Sequence, residues 1–208
     1  MTVMQDEWKN FYQKNLKEHG PSAQGVGWKN NEAQAVRFEQ LVKVFRLPAF
    51  SLNDLGCGVG DFLKFAGAKI SECEYRGYDV MADMVLVARE KYGDLKNAKF
   101  YLIKSAGEMQ PADYTIASGI FNIRFNQDNE SWLEYILDTL RVMDSKSTAG
   151  FAFNILTKYS DTEFMKTELY YADPCLIFDY CKRNFSKNVA LLHDYNQYDF
   201  TIIVRKEI

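Results

Sequence analysis

The sequence predicts an α/β protein: a seven-stranded sheet, mostly parallel with the last strand antiparallel, flanked by helices on both faces. Three observations predict it. From residue 50 onward short apolar runs alternate with segments of helical period, a turn holding three glycines follows the first run directly, and a short polar link joins the last two runs. A chain of 208 residues suits one well-buried core. Residues 1–208 are therefore expected to form a single domain, with 1–47 as an N-terminal helical cap and 48–208 as the sheet-bearing core.

Trp8, Phe11, Tyr12 and Leu16 recur at helical spacing, which predicts an amphipathic helix over 5–18. His19-Gly20-Pro21 ends it, and 20–30 reads as a loop. Asn30 or Asn31 caps a second helix carrying Ala33, Val36, Arg37, Leu41, Val44 and Phe45, which Pro48 stops. Strands are expected near 50–55, 74–78, 99–103, 113–118, 149–155, 189–194 and 198–204, and helices near 58–67, 81–92, 129–143 and 174–184. Asp173 before Pro174 starts the last of these: the carboxylate accepts from free N–H groups, and proline fits the first helical position. The end, "VALLHDYNQYDFTIIVRK", reads as two strands about a tight polar turn at Asn196-Gln197. So short a link joins only antiparallel neighbours, because a parallel crossover takes roughly a dozen residues. The final strand therefore runs against the others.

Composition narrows the function. With 25 Lys and Arg against 28 Asp and Glu, the chain lacks the basic surplus that a phosphate backbone attracts, so no nucleic-acid partner is expected. No apolar run reaches membrane-spanning length, and Asp6, Glu7 and Lys9 stand where a signal peptide would be apolar. Membrane insertion is thus not expected, and a cytoplasmic location is. Cys57, Cys73, Cys175 and Cys181 form no CxxC pair, and His19 and His193 are the only histidines, so no metal site is expected.

Chemistry concentrates in "SLNDLGCGVGDFLKF", residues 51–65, where Gly56, Gly58 and Gly60 stand between a strand and a helix. Glycines there remove the Cβ wall, and the helix start offers N–H groups to a ligand. The dinucleotide pattern G-x-G-x-x-G needs a third glycine at 61, which is Asp61, so the spacing favours a smaller nucleoside over a pyrophosphate. Asp79 ends the second strand, 19 residues beyond Gly60. It either takes the two hydroxyls of a ribose or caps the following helix.

"NDLGCGVGDFL" followed by "YRGYDVMADM" resembles the first two motifs of the class I S-adenosylmethionine-dependent methyltransferases, and the later strands extend the resemblance over most of the chain. The resemblance implies a Rossmann-like sheet, S-adenosylmethionine as cofactor and S-adenosylhomocysteine as product. It places Gly56, Cys57 and Gly58 against the methionine part, Asp54 near the cofactor amino group, Asp79 at the ribose, and Val80 and Met81 beside adenine. Ser105 and Ala106 stand at the adenine loop where an Asp is common. Ser118 and Gly119, in "TIASGIFNIRF", would sit beside the sulfonium with Ile120. In "GVGWKNNEAQAVRFEQL", Arg37 either reaches the cofactor carboxylate or is a solvated helix charge, with Trp28 closing over the site.

Methyl transfer needs a base only where the acceptor must lose a proton. His193 with Asp194 at a strand end, and Tyr171 ahead of the last helix, are the candidates; His193 is either that base or a packed strand-end histidine. The motif [DNS]-P-P-[YFW] of base-directed amino-methyltransferases is absent. Aromatic and polar residues (Trp8, Phe11, Tyr12, Trp28, Phe121, Asn122, Tyr159, Tyr170, Tyr171, Tyr195) suit a small polar acceptor. The wording "SGIFNIRF", "YYADP" and "HDYNQYDFTIIVRK" also resembles small bacterial methyltransferases associated with surface polysaccharide, implying O- or N-methylation of a sugar or envelope precursor. Two other classes stay open: a nucleoside-binding regulatory protein on the same fold, and an aminopropyl transferase.

Overall fold

A computed structural model describes residues 3–70 and 72–207. Two helices come first, α1 (Val3–His19) and α2 (Asn31–Leu41). Asn30 caps α2, its Oδ1 accepting from the Ala33 N–H at 2.8 Å. The helix then tightens into a 3-10 turn at Val42–Val44 ahead of Pro48. There follow β1 (Phe50–Leu55), α3 (Asp61–Ala66), β2 (Cys73–Asp79), α4 (Ala82–Tyr92), β3 (Ala98–Leu102), β4 (Ala112–Ala117), α5 (Asn129–Ser145), β5 (Ser147–Leu156), α6 (Pro174–Asn184), β6 (Asn188–Leu192) and β7 (Asp199–Arg205).

These strands form one seven-stranded sheet in the order β3-β2-β1-β4-β5-β7-β6. The pairs among β1 to β5 are parallel, whereas β7 lies antiparallel between β5 and β6. The reversed last strand is thus as expected. The link before it is longer than a tight turn, since 193–198 all lie outside the strands and Asn196 takes a positive φ of 53°. His193 falls in this link rather than on β6.

The strands alternate between two apolar layers, as successive side chains must. Phe151, Phe153 and Ile155 of β5 pack with Trp132, Ile136, Leu140 and Met143 of α5 and Ile177 of α6. Ala152 points the other way, into a layer with Phe38, Leu41, Phe62, Leu63, Val85 and Ala88 from α2, α3 and α4. The helix starts fall where carboxylates stand. Asp128 accepts from Glu130 and Ser131 N–H at 3.0 and 2.9 Å, and Asp173 from Cys175 and Leu176 N–H at 2.9 and 3.4 Å. Among the described residues, no helix is long and apolar enough to cross a membrane.

Candidate active site

A cavity of about 880 Å³ opens at the C-terminal ends of β1 to β5. This is where the loops of an open α/β sheet leave room for a ligand. Its floor is the loop after β1. Gly56 and Gly58 have φ of +75° and +53°, a region that costs an L side chain about 1–2 kcal/mol. A Cβ on Gly56 would also collide with Ile120 Cγ2. Asp79 holds the loop: its Oδ2 accepts from Gly58 N–H at 2.9 Å and its Oδ1 from Met81 N–H at 2.8 Å. Met81 is itself the N-cap of α4, so Asp79 does not cap that helix; it braces the residue before the helix and lines the cavity. Burial pushes its carboxyl upward, opposed by those N–H donors.

Asp54 lies beneath, 2% exposed, with Tyr75 O–H donating to its Oδ2 at 2.6 Å. Burial raises its pKa to about 7; the Tyr75 bond lowers it, and the charges of Asp79 and Asp61 add to the rise. Cys57 is buried beside Gly77, and desolvation drives its thiol well above the ordinary range. Val80, Met81, Ile103, Ser105 and Ala106 line one end of the cavity.

The loop after β4 is the opposite wall, and Asn154 of β5 sets it. Asn154 Nδ2 donates to Ser118 Oγ at 3.0 Å, and Gly119 N–H donates to Asn154 Oδ1 at 2.9 Å. Trp28 packs over Gly119, where a Cβ would lie 2.6 Å from its Cζ2. The Arg37 guanidinium stacks on Trp28, 4.7 Å from the ring centroid. Arg37 is not a solvated charge: it is buried in an ion pair with Asp199, donates to Gln197 Oε1 at 3.0 Å and Ala33 O at 2.6 Å, and lines the cavity with its Nε left without a partner among the described residues.

α1 and the 156–173 segment complete the walls. Trp8, Phe11 and Tyr12 face inward; Trp8 Nε1 donates to Ile123 O at 3.2 Å, and Phe11 meets Phe125 edge-on at 6.0 Å. Gln13 Nε2 donates to Asp83 Oδ2 at 2.7 Å, so α1 spans from α4 to the loop after β4. Desolvation, reinforced by the charge of Asp79, keeps the Tyr12 phenol protonated above its ordinary range.

Gly60, His193, Asp194 and Tyr171 lie outside the cavity walls. Gly60 serves packing, since a Cβ there would sit 2.7 Å from Tyr92 Cε2. His193 is displaced by strand order: β6 is the sheet edge, three strand spacings from β4, on the order of 14 Å. It is exposed beside the rings of Tyr159 and Phe200. Tyr171 O–H accepts from Lys166 N–H at 2.9 Å. Of the aromatics expected in the lining, Phe121, Tyr159, Tyr170 and Tyr195 are also elsewhere, while Phe125, Tyr135, Lys166 and Glu168 join it. Among the described residues there is no group of three or more His, Cys, Asp or Glu able to hold a metal.

The strand order, the reversed β7 and a cavity over the β1 loop together define the class I S-adenosylmethionine-dependent methyltransferase fold. The chain belongs to the methyltransferase family that includes "Putative methyltransferase Rv1506c" of Mycobacterium tuberculosis (strain ATCC 25618 / H37Rv). It is 48% identical to that protein over 157 residues, which cover 76% of this chain and 93% of the relative. No protein-family model matches. In fold it is similar to magnesium protoporphyrin IX methyltransferase of Synechocystis PCC 6803 with bound SAH (TM-score 0.68, 18% identity, 98% of this chain and 99% of that one). It is also similar to a SAM-dependent methyltransferase from Aquifex aeolicus (TM-score 0.62, 16% identity, 93% and 97%).

Proposed function

We propose that the chain is an S-adenosylmethionine-dependent methyltransferase acting on a small polar acceptor held under α1, a sugar or related hydroxylated precursor being the class its walls suit. One observation carries the reading: Gly58 and Met81 N–H converge on Asp79 at the cavity floor, so the carboxylate is fixed with lone pairs left for a ribose. The cavity lies within the usual range of small-molecule sites, roughly 300–1,000 Å³, near its upper end, which leaves room for an acceptor beside the cofactor.

When bound, the cofactor supplies a methyl group already activated by a positive sulfur. In this reading Asp79 takes the ribose, Asp54 the amino group, and the Gly56–Gly58 backbone the methionine chain. Val80, Met81, Ser105 and Ala106 enclose the adenine. Ser118 and Gly119, fixed by Asn154, stand at the transfer point. Arg37 acts as a positioning residue, holding Trp28 over Gly119 with its own charge met by Asp199. The N-terminal segment 1–47 acts as a cap that excludes water, which favours a displacement relying on alignment and desolvation. Trp8, Phe11, Tyr12 and Phe125 offer rings for an acceptor's apolar faces, and Asn122, Lys166 and Glu168 offer polar contacts.

Calorimetric titration with S-adenosylmethionine and S-adenosylhomocysteine tests this. Micromolar binding of both is expected, and a folded protein binding neither would overturn it. The absence of His193 from the cavity favours a second reading, a protein that binds the nucleoside without turnover. Labelled methyl product from any acceptor excludes that.

A further inference from the structure

The hydrogen-bonding state of the wall after β4 carries an inference about the acceptor. Asn122 is 8% exposed and lines the cavity. Its Oδ1 accepts from Leu156 N–H at 3.1 Å, and its own carbonyl accepts from Tyr170 N–H at 2.9 Å. Because a backbone N–H can only donate, the atom facing Leu156 is the amide oxygen and the orientation of the amide is fixed. Among the described residues Nδ2 has no partner, so the NH2 group is what Asn122 offers. Ser118 repeats the arrangement: its Oγ accepts from Asn154 Nδ2 at 3.0 Å, leaving its hydroxyl hydrogen to donate. Gly119 N–H is already used on Asn154.

Two donors whose own oxygens each already accept one hydrogen bond suit an oxygen nucleophile better than a neutral amine. A neutral amine has a single lone pair, and a donor placed on it blocks attack. An oxygen has at least two, so one receives a hydrogen bond while the other reacts. We infer that Asn122 is the specificity-determining residue for the acceptor atom and that, in the methyltransferase proposed above, the acceptor nucleophile is oxygen, as a hydroxyl or a carboxylate. An oxygen lone pair forms the O–CH3 bond as the C–S bond breaks, and that electron pair stays on sulfur, giving S-adenosylhomocysteine. A hydroxyl's proton passes to the Glu168 carboxylate in the cavity lining; a carboxylate acceptor has none to lose. The inference rests on the methyltransferase reading and sharpens it from "O or N" to O.

The test supplies the intact protein with S-adenosylmethionine carrying a ¹³C methyl group and low-molecular-weight extracts of bacterial cells. ¹³C spectra then separate O-methyl from N-methyl products, and mild alkali separates esters, which it cleaves, from ethers. O-methyl product is expected. N-methyl product, or no product from a protein that binds the cofactor, overturns the inference. Failure to bind the cofactor is a different result and overturns the function itself. With the acceptor in hand, Asn122→Asp keeps an oxygen for Leu156 N–H and removes the donor. It should lower kcat/KM by about a hundredfold, as losing a fixed donor at a reacting oxygen does, while cofactor affinity stays within about twofold. Asn122→Leu, which is of similar size and carries no donor, is the second variant should the first fail to fold. A folded variant retaining kcat/KM within about threefold sinks the assignment of Asn122.

Discussion

The loop after β1, with Asp54 and Asp79 on the strands beside it, and the link between β6 and β7, with Asp199 at the start of β7, lie at the same end of the sheet, and both regions hold acidic and polar residues. The first forms the floor of the cavity. Its groups are fixed but not exhausted, since Asp79 accepts one N–H on each oxygen and Asp54 one phenol. In the second, the groups are consumed locally. Tyr195 O–H meets Thr201 Oγ1 at 3.0 Å, Tyr198 donates to Asp161, and Gln197 and Asp199 both serve Arg37. His193 and Asp194 are left to solvent. Position in the strand order, not residue chemistry, separates the two: β1 lies mid-sheet and β6 at an edge.

The largest effects should come from Asp199, where the second region supports the first. Asp199→Ala strands the buried Arg37 charge, and loss of one partner of a buried pair costs about 3–5 kcal/mol. Urea denaturation should show that loss. The double variant R37M/D199L, which removes both charges, should cost less than D199A alone; an equal or larger cost would mean that the pair is not the source. Asp79→Ala comes next. It removes the acceptor for Gly58 and Met81 and a ribose contact, and should weaken S-adenosylmethionine binding by about 1–3 kcal/mol. Unchanged affinity in calorimetry would end the assignment of the floor.

Much of the fold was legible because its determinants are local. The apolar runs of β1, β4 and β5, the Asp173-Pro174 start of α6 and the reversal of β7 all follow from patterns within a few residues. The floor of the site was legible for the same reason, as Gly56, Gly58 and Asp79 stand at strand ends whose geometry demands them. What escaped depends on distant partners. Arg37 meets an aspartate 162 positions away, and Phe125 meets Phe11 across the cavity. Gly60 shares its positive φ with Gly56, +84° against +75°, yet faces Tyr92 instead of the cavity. Asn154 gave no signal beyond its residue type, and Asn122 was expected only as one of several lining residues, because their importance lies in hydrogen bonds between β5 and the loop after β4.

A smaller effect concerns pH at the floor. Asp54 in the fold titrates at about 7, above the unfolded range near 4, so the native state holds a proton that the unfolded chain has released. Its contribution to stability is therefore present at low pH, declines as pH rises from about 4 to about 7, and is level above that. Cofactor binding should run the other way. The cationic amino group of S-adenosylmethionine favours the carboxylate, so affinity should fall by at most about tenfold per pH unit below 7, one proton being linked to binding. Asp54→Asn should flatten this dependence. A wild-type affinity constant from pH 5.5 to 8 would show that the cofactor does not meet Asp54.

The smallest effect, and the sharpest test of the comparison, is at His193. A histidine next to an aspartate at a strand end is what a catalytic base would look like, and loss of such a base costs about a hundredfold or more in turnover. Here, however, β7 and β5 lie between β6 and β4, and the imidazole stands in solvent beside Tyr159, itself 62% exposed. His193→Gln should accordingly leave cofactor affinity and turnover within about twofold, and the pH profile of kcat/KM unmoved. A hundredfold loss with folding and cofactor binding intact would mean that the edge link swings to the cavity during turnover. The division between the two regions would then hold only for the resting protein.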